Sequence, residues 1–184
     1  IDSNYRPFIK RRLYFNTTLN EVQYQLKHIF GNGNLKCPCI TVMGDSTGKP
    51  YFCLAIDTLP DLNFVSPASG GTQTFPLRRL DGDKQYVDNV NDWALNQFKK
   101  HYQMARGKKE RSITKEAIFH YTYGVLYDPI YKEKYASNLK RNFPRIPFYK
   151  DFWEWSDWGK ALMDTHINFE QAKKFPLKRN DVNS

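Results

Sequence analysis

The chain has 184 residues, of which 40% are hydrophobic and 26% are charged, and this apolar content is enough to bury a core and excludes a disordered tail. The 28 Lys and Arg against 19 Asp and Glu give a formal net charge of +9, which favours a polyanionic partner. A mean hydropathy of -0.70 and the lack of any run of about 18 apolar residues exclude a transmembrane helix, so no membrane partner is expected.

The start of the chain and its cysteines indicate the cellular context. The chain begins Ile1-Asp2-Ser3-Asn4, with no initiator Met and no signal-peptide pattern, so we expect a fragment of a longer cytoplasmic polypeptide. Cys37, Cys39 and Cys53 are odd in number and lack the spacing of a zinc site. Reduced, half-buried strand cysteines are therefore predicted.

The first 82 residues predict short strands and one helix. Five apolar residues fall at helical spacing: Leu19, Val22, Leu26, Ile29 and Phe30. Thr18 with Glu21 has the pattern of a capping box for this helix, and the glycine-rich turn 31–34 ends it. Four short segments between turn-forming clusters are predicted strands: 35–43, 51–56, 63–66 and 74–80. They indicate a small, largely antiparallel sheet.

Beyond residue 91 the pattern is helical. Four helices are predicted to start or be capped at Asp92, Thr114, Asp128 and Asp151. Pro129 supports the third start because proline suits the first turn of a helix. Pro144 and Pro147 cannot continue a helix, so they end the third one, and the last helix reaches His166.

These elements predict an α+β fold in a single domain. The region 1–82 is strand-rich, with one helix, and the region 92–170 is helical. No repeat, low-complexity tract or linker divides residues 1–184.

Four segments are similar to catalytic or nucleotide-binding motifs, but each lacks part of the pattern. Residues 128–131, Asp-Pro-Ile-Tyr, are similar to the Asp-Pro-Pro-Tyr of amino-methyltransferases, but isoleucine replaces the second proline and a helix start explains the Asp and the first Pro. Residues 31–33, 44–49 and 60–61 lack the remaining residues of a dinucleotide fingerprint, a phosphate loop and a metal-dependent nuclease, respectively. No catalytic residue is predicted.

The histidines give no sign of a metal site. His28, His101, His120 and His166 lie on separate predicted helices without the paired spacing of metal ligands. We therefore assign none of them a role and predict no metal-binding residue.

Basic residues are concentrated between Lys99 and Arg111. Six Lys and Arg stand there against the single acid Glu110, and such a stretch neutralises phosphates without sequence preference. A solvated helix end has the same composition, because cations also suit the helix dipole. Trp153, Trp155 and Trp158 have helical spacing and are predicted to lie in the core.

Polar side chains in turns and at strand ends are candidates for contacts with bases. Arg78 and Arg79 have the fork geometry that pairs with guanine in a major groove, and amide side chains pair in the same way with adenine. The full set of candidate DNA-binding residues is Asn32, Asn34, Lys36, Gln73, Arg78, Arg79, Lys99, Lys100, Arg106, Lys108, Lys109 and Arg111.

The C-terminal half resembles a known family. The run HYTYGVLYDPIYKEKY at 120–135, followed by LKRNFPRIP at 139–147, is similar to the end of the C-terminal specificity domain of type ISP restriction-modification enzymes. Residues 158–166 fit the helix that follows in that family. The resemblance is looser at Tyr5-Arg6-Pro7-Phe8 and at Phe75-Pro76-Leu77, and it fails at Arg78-Arg79-Leu80, where the family more often has apolar or aromatic residues.

This resemblance implies a function. The family places a target recognition domain after an adenine-N6 methyltransferase domain, in a polypeptide that also carries a nuclease and a helicase. The chain is then expected to bind duplex DNA, to contact the methyltransferase and helicase domains, and to have no catalysis or cofactor of its own. S-adenosylmethionine, ATP and magnesium are expected for the parent enzyme.

Two alternatives remain open on the sequence. A protein-interaction module that docks helicase or methyltransferase parts would carry the positive charge only incidentally, and it would bind no DNA even at low salt. An enzyme such as a nuclease, with a site assembled from scattered residues, would cleave DNA in a metal-dependent manner.

Overall fold

The described part of the chain begins mainly with strands and ends with helices. The computed structural model describes residues 1–20, 22–44, 49–66, 71–83, 85–103, 111–173 and residue 176. The strands are β1 (Asp2–Arg6), β2 (Ile9–Arg12), β3 (Cys39–Met43), β4 (Cys53–Ile56), β5 (Leu59–Pro60), β6 (Thr72–Pro76), β7 (Arg78–Leu80) and β8 (Tyr86–Asp88). The helices are α1 (Leu26–Phe30), α2 (Asp92–Gln103), α3 (Lys115–Tyr127), α4 (Pro129–Lys134), α5 (Ala136–Leu139) and α6 (Phe152–Ile167), followed by a short 3-10 turn over Phe169–Gln171.

Within the described residues the strands pair into three small sheets. Their orders are β2-β1-β5, β4-β3-β6 and β7-β8. All pairs are antiparallel except β1 with β5. The predicted α+β class is confirmed. The predicted segments 35–43, 51–56 and the first part of 74–80 form one antiparallel sheet, β4-β3-β6, whereas the other two sheets consist mainly of strands that the sequence does not predict.

The sheet β4-β3-β6, called the central sheet below, lies between two hydrophobic cores. Alternate residues of β3 point to opposite faces, as the two-residue period of a strand requires. Ile40 and Val42 join the core formed with α3 and α6, whereas Cys39 and Met43 join a second core. That second core also contains Ile29, Phe30, Leu59 and Phe64. Both faces of the strand are therefore covered, which explains why all five of its residues are buried.

Helix α3 is the most deeply buried helix of the described chain and packs against α6. The two helices cross at Gly124 and Gly159, where a Cβ on Gly124 would lie 2.6 Å from the carbonyl oxygen of Trp155 and a Cβ on Gly159 would collide with the carbonyl oxygen of His120. Only glycine permits this approach of the two backbones, because any larger side chain needs the space that the facing backbone occupies.

Two tyrosines of α3 bond the outer edge of the central sheet. Tyr123 Oη accepts a hydrogen bond from the N–H of Ala55 at 2.8 Å, and Tyr127 Oη donates one to the carbonyl of Cys53 at 2.7 Å. Strand β4 is at the edge of its sheet, so these hydroxyls satisfy backbone groups that no strand pairs.

The predicted starts of α3 and α4 are confirmed. Thr114 Oγ1 accepts a hydrogen bond from the N–H of Ala117 at 3.1 Å, and Asp128 Oδ1 accepts one from the N–H of Ile130 at 2.9 Å. Each cap acts on backbone groups two or three residues away, which is why the local sequence is sufficient to predict it.

The predicted helix over 19–30 is wrong in its first half, because α1 covers only its last five residues. The Thr18 hydroxyl bonds a neighbouring asparagine in a turn and caps no helix, and Glu21 lies outside the described residues. Leu19 and Val22 are 72% and 62% exposed, so these apolar residues do not pack against a core that would stabilise a helix here.

Two of the predicted strands, 63–66 and 74–80, differ from the observed structure. Residues 63–66 form a turn followed by bends and no strand, and Asp61 accepts hydrogen bonds from the backbone at the start of this segment. The segment 74–80 is divided at Leu77, whose N–H donates to the carbonyl of Pro38 at 2.8 Å, so that β6 and β7 enter different sheets. Strands β1, β2, β5 and β8 are not apparent in the sequence pattern, because they are short and partly polar.

The three cysteines are free, and the prediction that they are reduced agrees with this. They are buried and not half-buried, and Cys37 precedes β3. Burial raises the pKa of Cys39 well above its usual range and that of Cys53 to about 12.

Further details correct or limit the sequence predictions. Asn91, and not Asp92, caps α2, because its Oδ1 accepts a hydrogen bond from the N–H of Ala94 at 2.8 Å. Trp158 is 54% exposed, so its predicted core position is wrong.

Most of the turn at 44–49 lies outside the described residues. None of the helices in the described ranges is both long and apolar enough to cross a membrane.

Candidate nucleic-acid interface

The β7-β8 ribbon presents the two predicted arginines on opposite sides. Arg78 lies opposite Asp88 and Arg79 opposite Val87 in the strand register, and both arginines are exposed. Arg78 Nε lies 3.3 Å from Asp88 Oδ1, so part of its charge is neutralised across the ribbon. Within the described residues Arg79 has no carboxylate partner.

Arg79 lines a cleft of mixed polar and apolar residues beside α1. The cleft has a volume of about 370 Å³. Its other lining residues are Gln25, His28, Ile29, Thr74, Pro76, Leu80, Asp81, Gly82 and Asn89. An arginine fork, an imidazole and two side-chain amides therefore share one opening, and each of these groups can hydrogen-bond a base edge.

The opposite side of the ribbon has a smaller cleft around Arg78. Its volume is about 270 Å³, and its lining includes Lys36, Cys37 and Tyr86. Lys36 Nζ lies 3.4 Å from Asp57 Oδ2, so this lysine is also partly neutralised.

The Cys37 thiol holds the first residue of the ribbon. Its Sγ donates to the carbonyl of Arg78 at 3.3 Å. A hydrogen bond with the Cys39 thiol is the main cause that lowers the pKa of Cys37 to about 7, against the opposing effect of burial. This contact joins residues 41 positions apart in sequence, so no local pattern indicates it.

The predicted turn of asparagines follows α1. Asn32 and Asn34 are exposed, while Gly31 and Gly33 adopt positive φ angles of 58° and 87°. Gly33 packs so closely against the side chain of Ile1 that a Cβ would collide with it. The turn is thereby fixed to the N-terminal sheet with both amides facing outward.

Gln73 is on β6, the edge strand of the central sheet opposite β4. Its side chain is exposed, and the residue lies opposite Val42 in the register. Its neighbour on the same face, Phe75, packs edge-on against Phe143 with ring centroids 5.6 Å apart.

The predicted basic stretch from 99 to 111 has mixed surroundings. Lys100 is exposed and Lys99 is half-buried on α2. Arg106, Lys108 and Lys109 lie outside the described residues. Arg111 Nη1 lies 2.9 Å from both carboxylate oxygens of Asp157, and its guanidinium lies 4.1 Å from the ring centroid of Trp153. Arg111 is therefore already engaged with α6, which sequence composition does not reveal.

The Phe-Pro-Arg-Ile-Pro loop is held by tyrosine hydroxyls. Tyr131 Oη donates to the carbonyl of Arg145 at 2.9 Å, and Tyr121 Oη donates to the carbonyl of Pro147 at 2.7 Å. Tyr121 Oη also accepts the N–H of Tyr149 at 2.6 Å. The tyrosine-rich run and the proline-rich run are thus two parts of one hydrogen-bonded unit.

Asp128 is part of the same unit. One carboxylate oxygen caps α4, and the other accepts a hydrogen bond from Tyr149 Oη at 2.7 Å. The interpretation of Asp-Pro-Ile-Tyr as a helix start is confirmed.

The histidines lie apart from one another, and their side chains pack against aromatic rings, form hydrogen bonds or line a cleft. His166 Nδ1 lies 2.6 Å from Tyr123 Oη, and burial lowers the pKa of His166. His101 stacks on Phe148 with ring centroids 4.4 Å apart. His28 lies in the Arg79 cleft, a position that the sequence does not indicate. No group of His, Cys, Asp and Glu in the described ranges is arranged to hold a metal ion.

The fold and the β7-β8 ribbon define the class of protein. It is a domain of small sheets and helices that exposes basic and amide side chains on the turn after α1, on the ribbon and on the edge strand β6. The sequence matches the family described as the Type ISP C-terminal specificity domain over residues 1–183. The chain belongs to this family. A search of the curated proteins gave no match.

Solved structures agree with this membership. A DrdV–DNA complex determined by cryo-EM matches with a TM-score of 0.88 and 42% identity, over 98% of this chain and 17% of the DrdV chain. A nuclease-deletion mutant of the Type ISP restriction-modification enzyme LlaGI, in complex with a DNA substrate mimic, matches with a TM-score of 0.72 and 27% identity, over 92% of this chain and 14% of LlaGI. The ATP-dependent Type ISP enzyme LlaBIII bound to DNA has the same fold, with a TM-score of 0.78 at 24% identity, over 97% of this chain and 11% of LlaBIII. The chain therefore spans less than a fifth of each of these proteins.

Proposed function

We propose that the chain reads the target sequence in duplex DNA for a Type ISP restriction-modification enzyme. The observation that carries this proposal is the family match over residues 1–183, joined to DNA-bound structures at 42% and 27% identity. A specificity domain has to discriminate base pairs, and only groups that reach base edges can do so.

The ribbon and its neighbouring turn supply such groups. Arg79 has no carboxylate partner among the described residues, so its guanidinium fork is free to pair with the O6 and N7 of guanine. Asn32, Asn34 and Gln73 are exposed amides, which pair with adenine in the same manner. Arg78 and Lys36 lie beside the ribbon cleft, but Asp88 and Asp57 partly neutralise them, so we expect a smaller contribution to binding from these two residues.

Lysines on α2 supply affinity without sequence preference. Lys100 is exposed and Lys99 half-buried, and Arg106, Lys108 and Lys109 follow them in the chain. Each cation that neutralises a phosphate releases a counterion, which favours binding at low salt. Arg111 serves mainly to hold the start of α3 to α6 through Asp157.

In this proposal the domain acts without chemistry of its own. It positions the target while an adenine-N6 methyltransferase domain of the same polypeptide methylates with S-adenosylmethionine. The nuclease and the ATP- and magnesium-dependent helicase also belong to the parent polypeptide. The specificity domain needs no cofactor for its part, because binding and positioning require only hydrogen bonds and charge.

Selection from a pool of randomised duplexes tests the proposal. The purified 184-residue chain is expected to enrich one short motif, and the logarithm of its affinity should fall linearly with the logarithm of salt concentration. Lys99→Ala with Lys100→Ala should weaken binding equally for all sequences and leave the motif unchanged. Lys160→Ala is the control, because this lysine is already paired with Asp164 at 2.7 Å. Binding without any enriched motif would contradict sequence reading.

A docking role is a second candidate, which one observation favours. Tyr14, Leu19, Val22 and Tyr24 are large apolar side chains, all more than half exposed, in a segment before α1. Such a patch is typical of a surface that contacts another protein part, here the methyltransferase or helicase domains. Absence of DNA binding at low salt, with retained binding to those domains, would favour docking over sequence reading.

A further inference from the structure

A second basic surface lies in the helical half, away from the ribbon in sequence. Residues 132–150 carry six Lys and Arg against one acid, Glu133. A cleft of about 410 Å³ opens between α4, α5 and the loop that follows them. Its lining includes Tyr135, Asn138, Asn142 and Arg145. We call this opening, with the adjacent exposed Lys140 and Arg141, the basic cleft.

The cations of the basic cleft are free of local neutralisation. Within the described ranges, Lys140, Arg141 and Arg145 are exposed and make no ion pair with a carboxylate. Three lysines elsewhere in the described chain are paired with carboxylates: Lys10 with Glu170 at 3.0 Å, Lys115 with Asp92 at 2.8 Å and Lys160 with Asp164 at 2.7 Å. The positive potential of the basic cleft is therefore directed to solvent, where it attracts an anion.

The backbone of the basic cleft is fixed in advance. Tyr131 Oη holds the carbonyl of Arg145, and Tyr121 Oη holds the carbonyl of Pro147. Pro144 and Pro147 further restrict the loop, because proline fixes φ. A positively charged side chain on such a backbone loses less conformational entropy on binding than one on a mobile loop.

The side chains of the basic cleft suit phosphodiester oxygens. Arginine forms bidentate hydrogen bonds to phosphate, and lysine acts as a point charge. The side-chain amides of Asn138 and Asn142 supply neutral N–H donors in the same opening. A mixed set of cations and amides around a groove is the usual means of holding a nucleic-acid backbone.

We propose that the basic cleft binds backbone phosphates of duplex DNA and adds affinity that is independent of sequence. This inference rests on the proposed function, because it takes duplex DNA as the polyanion. It assigns additional phosphate contacts to side chains outside the predicted stretch from Lys99 to Arg111. The two surfaces then have separate tasks: the ribbon discriminates bases and the basic cleft holds the strand.

The test compares DNA binding of the unmodified chain and the double variant Arg141→Ala with Arg145→Ala, by fluorescence anisotropy on duplexes of mixed sequence over a range of salt concentrations. The variant is expected to lose roughly tenfold or more in affinity at about 100 mM salt, and its salt slope should decrease in magnitude by about 2, since each phosphate contact contributes roughly 0.9. Arg141→Lys with Arg145→Lys should retain most of the slope, because the charge remains.

The matched control is Lys10→Ala with Lys160→Ala, which removes the same formal charge from two paired lysines and should leave the slope nearly unchanged. Circular dichroism melting verifies that each variant is folded. An unchanged affinity and salt slope in the arginine-to-alanine variant would overturn the phosphate-binding role of the basic cleft and leave the proposed function standing. Loss of binding to one sequence only would assign the cleft to base reading and overturn the phosphate role. No DNA binding by the unmodified chain at any salt concentration would overturn the proposed function and this inference together.

Discussion

The strand-rich half and the helical half of the protein stabilise the backbone beneath their exposed side chains by different interactions. In residues 1–90 short strands and turns are joined by backbone ladders, and exposed polar side chains project from β6, β7 and the turn after α1. In residues 91–173 the backbone is held by helix packing and by tyrosine hydroxyls that bond loop carbonyls. Charge is unequal too: residues 1–90 carry 10 Lys and Arg against 8 Asp and Glu, whereas residues 91–184 carry 18 against 11.

This difference separates two requirements of DNA recognition. Discrimination of bases needs a few polar groups at defined positions, and short ribbons and turns supply them without large net charge. Affinity needs many cations on a stable support, and the helical half supplies both. Changes to the rigid support should therefore affect stability, whereas changes to the ribbon should affect specificity.

The largest effect is expected where α3 crosses α6. Gly159→Ala places a methyl group against the carbonyl of His120, and Gly124 on the facing helix leaves no room for relaxation. We expect a loss of about 3 kcal/mol or more in the free energy of unfolding, since overpacking costs ~1–3 kcal/mol even where the core can adjust. Urea unfolding followed by circular dichroism measures it.

Gly82→Ala is the control for this substitution, because nothing lies within 4 Å of a Cβ at that position. It should change stability by less than about 0.5 kcal/mol, as is usual for a surface position. If both glycine variants had the same stability as the unmodified chain, the close crossing of the helices would be refuted.

The next effect concerns the tyrosine hydroxyls of the helical half. Tyr121→Phe removes the donor to the carbonyl of Pro147 and the acceptor of the N–H of Tyr149, and leaves two backbone groups without partners. We expect a loss of about 2–3 kcal/mol in the free energy of unfolding, because an unsatisfied buried polar group costs about 1–3 kcal/mol. Thermal and urea unfolding measure it. Tyr14→Phe, at an exposed position in the strand-rich half, should be nearly neutral. Equal losses in the two variants would argue against a special role for the Tyr121 hydroxyl.

A smaller effect, on specificity and not on stability, is expected at the ribbon. Arg79→Ala should reduce discrimination at one base pair of the selected motif by about 1–3 kcal/mol, because a bidentate arginine–guanine pair contributes that much. Competition binding with duplexes that differ at single positions measures the change. Arg12→Ala serves as control, because Arg12 pairs with Asp2 on another sheet. A uniform loss over all positions would indicate that Arg79 contacts phosphate and not a base.

The smallest effect is the response to mild acid. Burial lowers the pKa of His166 below its usual 6.5, so the unfolded chain binds a proton at a higher pH than the folded chain does. The free energy of unfolding should therefore decrease as pH falls below about 6.5 and be restored above it. His166→Gln, which keeps a polar group for Tyr123 but does not titrate, should weaken this dependence, while His120, whose pKa burial also lowers, retains part of it. Urea unfolding at several pH values between 5 and 8 measures it, and a stability that rises toward acid in the unmodified chain would contradict the prediction.

Local chemistry explains which sequence predictions succeed. Thr114 and Asp128 cap helices through groups two or three residues away, so their roles can be read from the adjacent sequence. The helical spacing at 19–30 fails in its first half because a periodic apolar stripe forms a stable helix only when a core covers it, and Leu19 and Val22 face solvent.

The candidate site is predictable to a smaller extent. The sequence identifies Arg79, Asn32 and Gln73 as candidates because arginine and amides are the side chains that pair with bases. It does not reveal that Arg79 shares its cleft with His28, since that depends on packing of α1 near β7. Nor does it reveal that Asp157 neutralises Arg111, because the two residues are 46 positions apart.

The sequence by itself determined the α+β class, the excess of positive charge, the helix starts at Thr114 and Asp128, and the resemblance to the Type ISP specificity family. These properties follow from composition and from interactions within a few residues. Only the tertiary structure decided how the strands divide into three sheets, which arginines are free, and where unpaired cations form a cleft. Those properties depend on contacts between residues distant in the chain, and charge becomes useful for binding only where the fold leaves it without a carboxylate partner.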